Sequence, residues 1–203
     1  MTPRFRILSL ILLLEVLAGC ATPKLKADRI ILQPNLPPRV SSADRSLSLH
    51  VEPFSLAKSI RDPKIVGHCS VGLNPVSPIV SEVPADVILT DGIRKGFSRL
   101  GVVLKEKNQA QYVLSGRIER FWVYEAIGPS GGYFSASVRY DVVVRDQRGE
   151  VFAWVNSLRG MANSKVRSFW GATDEDIATL LKATERAVEA LFADESFWEA
   201  LLR

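Results

Sequence analysis

Tyr133-Phe134-Ser135-Ala136-Ser137-Val138-Arg139-Tyr140-Asp141-Val142-Val143-Val144-Arg145 decides the fold. Phe134, Ala136, Val138, Tyr140, Val142 and Val144 fall on one face, while Ser135, Ser137, Arg139 and Asp141 mark the other. A period of two is a strand with one face buried and one wet. Strand-like segments flank it. In 112–124, Tyr112, Leu114 and Ile118 share a side; then Phe121 and Val123 compete with Trp122 and Tyr124, which predicts a bulge near Arg120. After the short turn Gln147-Arg148-Gly149, residues 150 to about 164 form a third strand led by Phe152 and Trp154. Short connections make sequential strands antiparallel neighbours.

An apolar sheet face needs a cover. Residues 84–100 read as the first helix: Pro84 suits the first turn, and Asp86 sits where the helix dipole favours an acid. Leu89, Ile93, Phe97 and Leu100 make one apolar stripe, and Gly101 stands at the C-cap. The second helix opens at Thr173-Asp174-Glu175-Asp176, a hydroxyl cap followed by acids. Ile177, Leu180, Leu181, Thr184, Val188, Leu191 and Phe192 keep helical spacing, and Ser196 is placed to cap a last short helix. Before these lie a half-buried strand from Leu47 to Pro53 and a long irregular stretch, 56–83, rich in Pro and Gly, with room for one short strand at 65–71. The expectation is an α+β fold: a two-layer sandwich, mostly antiparallel sheet covered on one face by two helices. Ile93, Phe97 and Leu100 should meet Ile177, Leu181 and Val188 over Val138, Tyr140 and Val142.

This order of elements resembles the YajG-like lipoproteins of Gram-negative envelopes. The similarity is carried by Ser137-Val138-Arg139-Tyr140-Asp141-Val142, by Gly171-Ala172-Thr173-Asp174-Glu175-Asp176-Ile177, by Arg99-Leu100-Gly101 and by Ala193-Asp194. It spans about residues 48–200. These are structural motifs, so the resemblance implies a fold and a compartment, with no activity attached. The stretch 62–81 is where departure from the family is expected.

The N-terminus addresses the same compartment. Arg4 and Arg6 precede an apolar run from Ile7 to Leu17, too short to span a bilayer, and Leu17-Ala18-Gly19-Cys20 closes it. This resembles the lipobox of bacterial lipoproteins, although Glu15 interrupts the apolar run. The resemblance implies cleavage before Cys20 and lipidation of Cys20. The expected organisation is a signal peptide at 1–19, a lipidated Cys20 with a flexible tether over 20–46, and one domain over 47–203. Pro23, Pro34, Pro37 and Pro38 keep the tether from helix, and a coil of that length reaches roughly 30 Å. Residue 21 is Ala rather than Asp; by resemblance to the sorting rule of enteric bacteria this implies the outer membrane, periplasmic face.

Removing residues 1–19 takes the net charge from +4 to about +3, because Arg4, Arg6 and Glu15 leave. Basic residues do not run together, so nucleic acid is not an expected partner. With Cys20 consumed by lipid, Cys69 has no partner in the chain, and burial is its expected fate.

Catalytic chemistry finds little support. Gly128-Pro129-Ser130-Gly131-Gly132 matches G-x-S-x-G, but a nucleophile elbow needs a helix after it, and here a strand follows. The two histidines, His50 and His68, both precede Ser130. His68 and Cys69 are adjacent soft ligands, short of the three or four a metal needs. Acids are scattered singly, and no phosphate-cradling loop is present. The expectation is no catalytic residue, no metal and no cofactor. Trp122, Tyr124, Tyr133, Phe134, Phe169 and Trp170 flank loops, divided between core and a partner surface. The loops 62–82 and 126–134 are left free for contact. The expected function is a non-enzymatic accessory or protein-interaction module of the envelope, bound to the membrane by its lipid and to a second envelope protein. The alternative is a transport auxiliary or carrier handling lipid or another apolar ligand.

Overall fold

The computed structural model describes residues 24–27, 30–35, 47–71, 74–128, 131–147, 152–165 and 173–202. Lipidation at Cys20, the Gln147-Arg148-Gly149 turn as a whole, the cap at Thr173 and the aromatics Phe169 and Trp170 lie outside the described residues or side chains. So does the side chain of Cys69.

The expected α+β sandwich is what the chain forms. Its strands are β1 (Lys24–Leu25), β2 (Ser48–Val51), β3 (Ser55–Leu56), β4 (Ile65–Val71), β5 (Asn74–Ser81), β6 (Val103–Leu104), β7 (Tyr112–Gly128), β8 (Gly131–Asp146) and β9 (Phe152–Lys165). The helices are α1 (Ala85–Leu100), α2 (Thr173–Phe192) and α3 (Glu195–Leu201). The long strand β7 is the spine. One edge carries the antiparallel meander β7-β8-β9. The other edge takes β2, β3 and β4 in succession, all parallel to β7. The bulge expected near Arg120 is present, as a register shift between Ile118 and Arg120.

The alternation of β8 works as its sequence demands. Phe134, Ala136, Val138, Tyr140, Val142 and Val144 are buried beneath the helices. Ser135 and Ser137, expected on the wet face, are buried too. Register explains this: Ser137 stands between Trp122 and Met161, and Ser135 between Tyr124 and Asn163. The small hydroxyls lie in the shade of larger neighbours.

Helix α1 begins after Pro84 and ends at Gly101, whose φ of 84° is left-handed, so the predicted C-cap is in place. Ile88, Leu89, Ile93, Phe97 and Leu100 form its buried stripe. Ile177, Leu180, Val188, Leu191 and Phe192 are the matching stripe of α2, with Leu181 at its half-buried margin. Gly160 lets α2 approach β9: a Cβ there would run into the Ala183 carbonyl and the Ala187 amide. Short α3 is capped by Asp194 rather than Ser196; the Asp194 carboxylate accepts from the Phe197 amide at 3.2 Å and from the Ser196 hydroxyl at 2.6 Å.

Two larger expectations change as well. The stretch 56–83 is not mainly irregular, because β4 and β5 form an antiparallel hairpin. Its prolines are tolerated by position: among the described residues β5 pairs with β1 at Val80 and Ser81, so Pro75 and Pro78 have no described partner on that edge that needs a donor. The described parts of the expected tether also lie on the domain. Leu25 is fully buried, Leu32 abuts Gly92 of α1, and the amides of Gln33 and Asn35 donate to Glu185 and Glu189 of α2 at 2.9 and 2.6 Å.

Candidate functional site

The helices cover one face of the β7-β8-β9 meander; the opposite face is the larger feature left for function. Its side chains are set by period two and by the β7 bulge. The bulge places Arg120 opposite Arg139, and the next hairpin places Arg139 opposite Arg159. Three arginines therefore form one transverse row across three strands. Neighbouring strands run about 4.8 Å apart, so the row is tight. All three residues are exposed. Among the described residues none of them makes an ion pair. Directly opposed like charges cost stability in a sheet, so the row works against the fold.

To one side of the row, Arg117 is neutralised by Glu119 at 2.5 Å and Asp141 at 3.7 Å. To the other side stands an apolar and aromatic zone: Trp122 and Met161, then Tyr124, then Tyr133. Tyr124, Tyr133 and Met161 are exposed; Val155, 60% exposed, stands on the other side of the row, past Ser157. Of the six aromatics singled out by sequence, Phe134 belongs to the core while Trp122, Tyr124 and Tyr133 belong to this face.

Where β4 meets the bulge, the surface forms an open groove of about 480 Å³. Arg120 and Arg139 enter it from the sheet and Arg61 from the segment after β3. His68 and Trp122 form one wall, their rings 5.0 Å apart, and Ile60 and Ile65 add apolar surface. Two acids share the groove, both engaged: Asp62 accepts from the Lys64 amide at 2.8 Å and Glu119 holds Arg117. The sequence reading missed this site. Its arginines are far apart in the chain; Arg61, Arg120 and Arg139 meet through the hairpin register and the parallel pairing of β4 with β7.

The other sequence candidates do not converge. His50 lies at the far end of β7, its Nδ1 2.9 Å from the Lys105 carbonyl oxygen. His68 faces Trp122. No group of three or more His, Cys, Asp or Glu is arranged for a metal among the described residues. Gly128 ends β7 and Gly131 begins β8, paired with each other, so the G-x-S-x-G stretch joins two strands. A nucleophile elbow requires a helix on its far side. Among the described residues, no helix is long and apolar enough to cross a membrane.

No protein-family model and no curated protein sequence matches the chain. Solved structures do. Protein XCC0632 from Xanthomonas campestris, of the family DUF330, aligns over 88% of this chain and 95% of its own with 16% identity and a TM-score of 0.52. A protein described only as uncharacterized aligns over 77% and 93% with 15% identity and a TM-score of 0.50. A minor lipoprotein from Acinetobacter baumannii is less similar, at 12% identity over 77% of this chain and 92% of its own with a TM-score of 0.41. These names do not bring in the YajG-like family, so that resemblance stays with its strand and helix motifs. At such identities the likeness concerns the fold: this chain shares the architecture of the Xanthomonas protein.

Proposed function

We propose that the chain is a lipoprotein, anchored through Cys20 to the periplasmic face of the outer membrane, that serves as a non-enzymatic accessory subunit of an envelope assembly. One observation carries the accessory role: Tyr124, Tyr133, Met161 and Val155 stand exposed on the sheet face that the helices leave uncovered. Exposed aromatics and Met grouped on one surface are the composition of protein interfaces. The alternative, a carrier holding an apolar ligand between the layers, has less support. Tyr140, Phe97, Phe192 and Phe197 fill the space between sheet and helices with almost no exposure.

Anchoring rests on the lipobox-like Leu17-Ala18-Gly19-Cys20 and on Ala21. Cys20→Ala should abolish lipid labelling and processing; a mature, detergent-partitioning protein of normal mass from that variant would overturn the anchor. Sedimentation with inner-membrane markers would overturn the sorting. For the role itself, native co-purification in mild detergent with mass spectrometry should recover a stoichiometric envelope protein. Val155→Asp combined with Tyr133→Asp should release it while the domain stays folded; retention of the partner would overturn the assigned face.

A further inference from the structure

We propose that the groove at the β7 bulge is a binding site for a phosphate group carried on an apolar or planar body. The groove opens on the same sheet face as Tyr133 and Val155, its arginines standing between Met161 and Val155 in register, but the proposal does not depend on the accessory role.

Three observations lead there. First, Arg120, Arg139 and Arg159 stand in one cross-strand row without an acid among the described residues, an arrangement that costs stability. Violations of a local rule without a structural gain concentrate at functional sites. Second, two members of the row turn into the same concavity as Arg61, and the two acids beside them are already occupied. The groove therefore keeps a net positive charge: with Glu119 paired to Arg117, Arg61, Arg120 and Arg139 face the single charge of Asp62. Third, its wall is the His68–Trp122 ring pair with Ile60 and Ile65, a surface for an apolar or planar body rather than for a bare ion.

The number of forks selects phosphate over carboxylate. A guanidinium presents donors that fill both oxygens of a carboxylate in one bidentate contact. The two lone pairs left on those oxygens point to opposite sides, so a second and a third arginine could each make a single contact but not another fork. A phosphate offers enough oxygen lone pairs for two forks at once, one from Arg120 and one from Arg139 across the hairpin, with Arg61 closing the open side. A volume of about 480 Å³ accommodates a headgroup-sized ligand. A lipid headgroup and a soluble phosphate ester present this same chemistry.

The test uses the full chain in a neutral maltoside detergent, with phenyl phosphate as probe and calorimetry as readout. Phenyl phosphate should bind saturably at one site, more tightly than inorganic phosphate and at least about tenfold more tightly than benzoate. Arg120→Gln and Arg139→Gln should each weaken it about tenfold or more, the scale of one charge-assisted contact. Both variants should keep or raise the thermal midpoint, since each relieves the row; this separates a lost contact from a lost fold. Phosphatidylglycerol added to the micelles should displace the probe if the natural ligand is a lipid. Failure to displace, with probe binding intact, assigns the site to a soluble phosphate ester. Absence of saturable binding, binding of benzoate as tight as phenyl phosphate, or indifference to both arginine variants would each overturn the proposal. None of these results bears on whether an envelope protein co-purifies.

Discussion

The phenol of Tyr140 donates a 2.8 Å hydrogen bond to the carbonyl oxygen of Ala187, tying the middle of β8 to the middle of α2 inside the core. The side chain is fully buried, and its hydroxyl reaches a helix carbonyl as a second donor to that oxygen. Tyr140→Phe keeps the ring and its edge contact with Phe54 at 5.6 Å. It should cost about 1 kcal/mol, the net worth of one such bond, read as a lowered denaturation midpoint with unchanged slope.

The same residue sets an alkaline limit. Burial pushes the Tyr140 phenol well above its usual value of about 10. The folded state therefore holds this proton at a pH where the unfolded chain releases it. By linkage its contribution is complete below about pH 10 and declines as pH rises further. Wild type should lose stability between pH 10 and 11.5 faster than Tyr140→Phe. Parallel curves for the two proteins would show that the phenol is not held in its neutral form.

Gly160→Ala should be among the most damaging small substitutions in the domain. The added methyl meets the Ala183 carbonyl and the Ala187 amide, backbone atoms of α2 that cannot swing away. Overpacking of this kind costs about 1–3 kcal/mol or more. Gly101→Ala is the control: nothing lies within 4 Å of its Cβ, so only the left-handed backbone, φ 84°, opposes it, at about 1–2 kcal/mol. Helix–sheet packing should loosen in the first variant alone, visible as faster amide exchange in β9 and α2.

Asp194 joins α3 to β9. Its carboxylate caps α3 through the Phe197 amide, holds Ser196, and accepts from Asn156 of β9 at 2.9 Å. Burial pushes its carboxyl up, but those hydrogen bonds outweigh burial and leave it below the usual carboxylate value. Its contribution is thus present above about pH 4 and lost as pH falls through the lowered folded value. Asp194→Ala should cost about 0.5–2 kcal/mol at neutral pH and flatten the acid limb of the stability curve. Ser196→Ala should cost less, although it also removes the 2.9 Å bond from Trp154 Nε1.

How far the sequence could be read follows from which interactions are local. The stripe of α1, its Gly101 cap and the period of β8 are written in residues a few positions apart, and they are where the structure puts them. The bulge near Arg120 was legible because apolar residues change side there. The β4–β5 hairpin was hidden by Pro75 and Pro78, which are harmless where no described strand needs their missing N–H on the outer edge of β5. The packing of Leu25 and Leu32 was hidden by the prolines around them. The arginine row needed two hairpin registers at once, a relation between residues 120, 139 and 159 that no local pattern carries.

Phe97 is the residue on which both helices and the C-terminus close. Its ring is fully buried and meets Phe192 of α2 edge-on at 4.9 Å, with Phe197 and Trp198 of α3 at 6.1 and 6.3 Å. Phe192 cannot move in to fill a vacancy easily, because its ring edge already lies close against Gly96, the residue before Phe97 on α1. Trp198 is held in turn by its Nε1 donating to the Phe192 carbonyl at 2.8 Å. A cavity left at this position should therefore stay open, which places Phe97→Ala at about 3–5 kcal/mol, a large share of the 5–15 kcal/mol typical of a domain. Phe97→Leu retains most of the volume and should cost less, losing mainly the close edge contact with Phe192, about 0.5–1.5 kcal/mol. Thermal and urea unfolding of the two variants provides the measurement. A harmless Phe97→Ala would mean that α3 does not dock against α1, and the cluster of four aromatic rings would have to be redrawn.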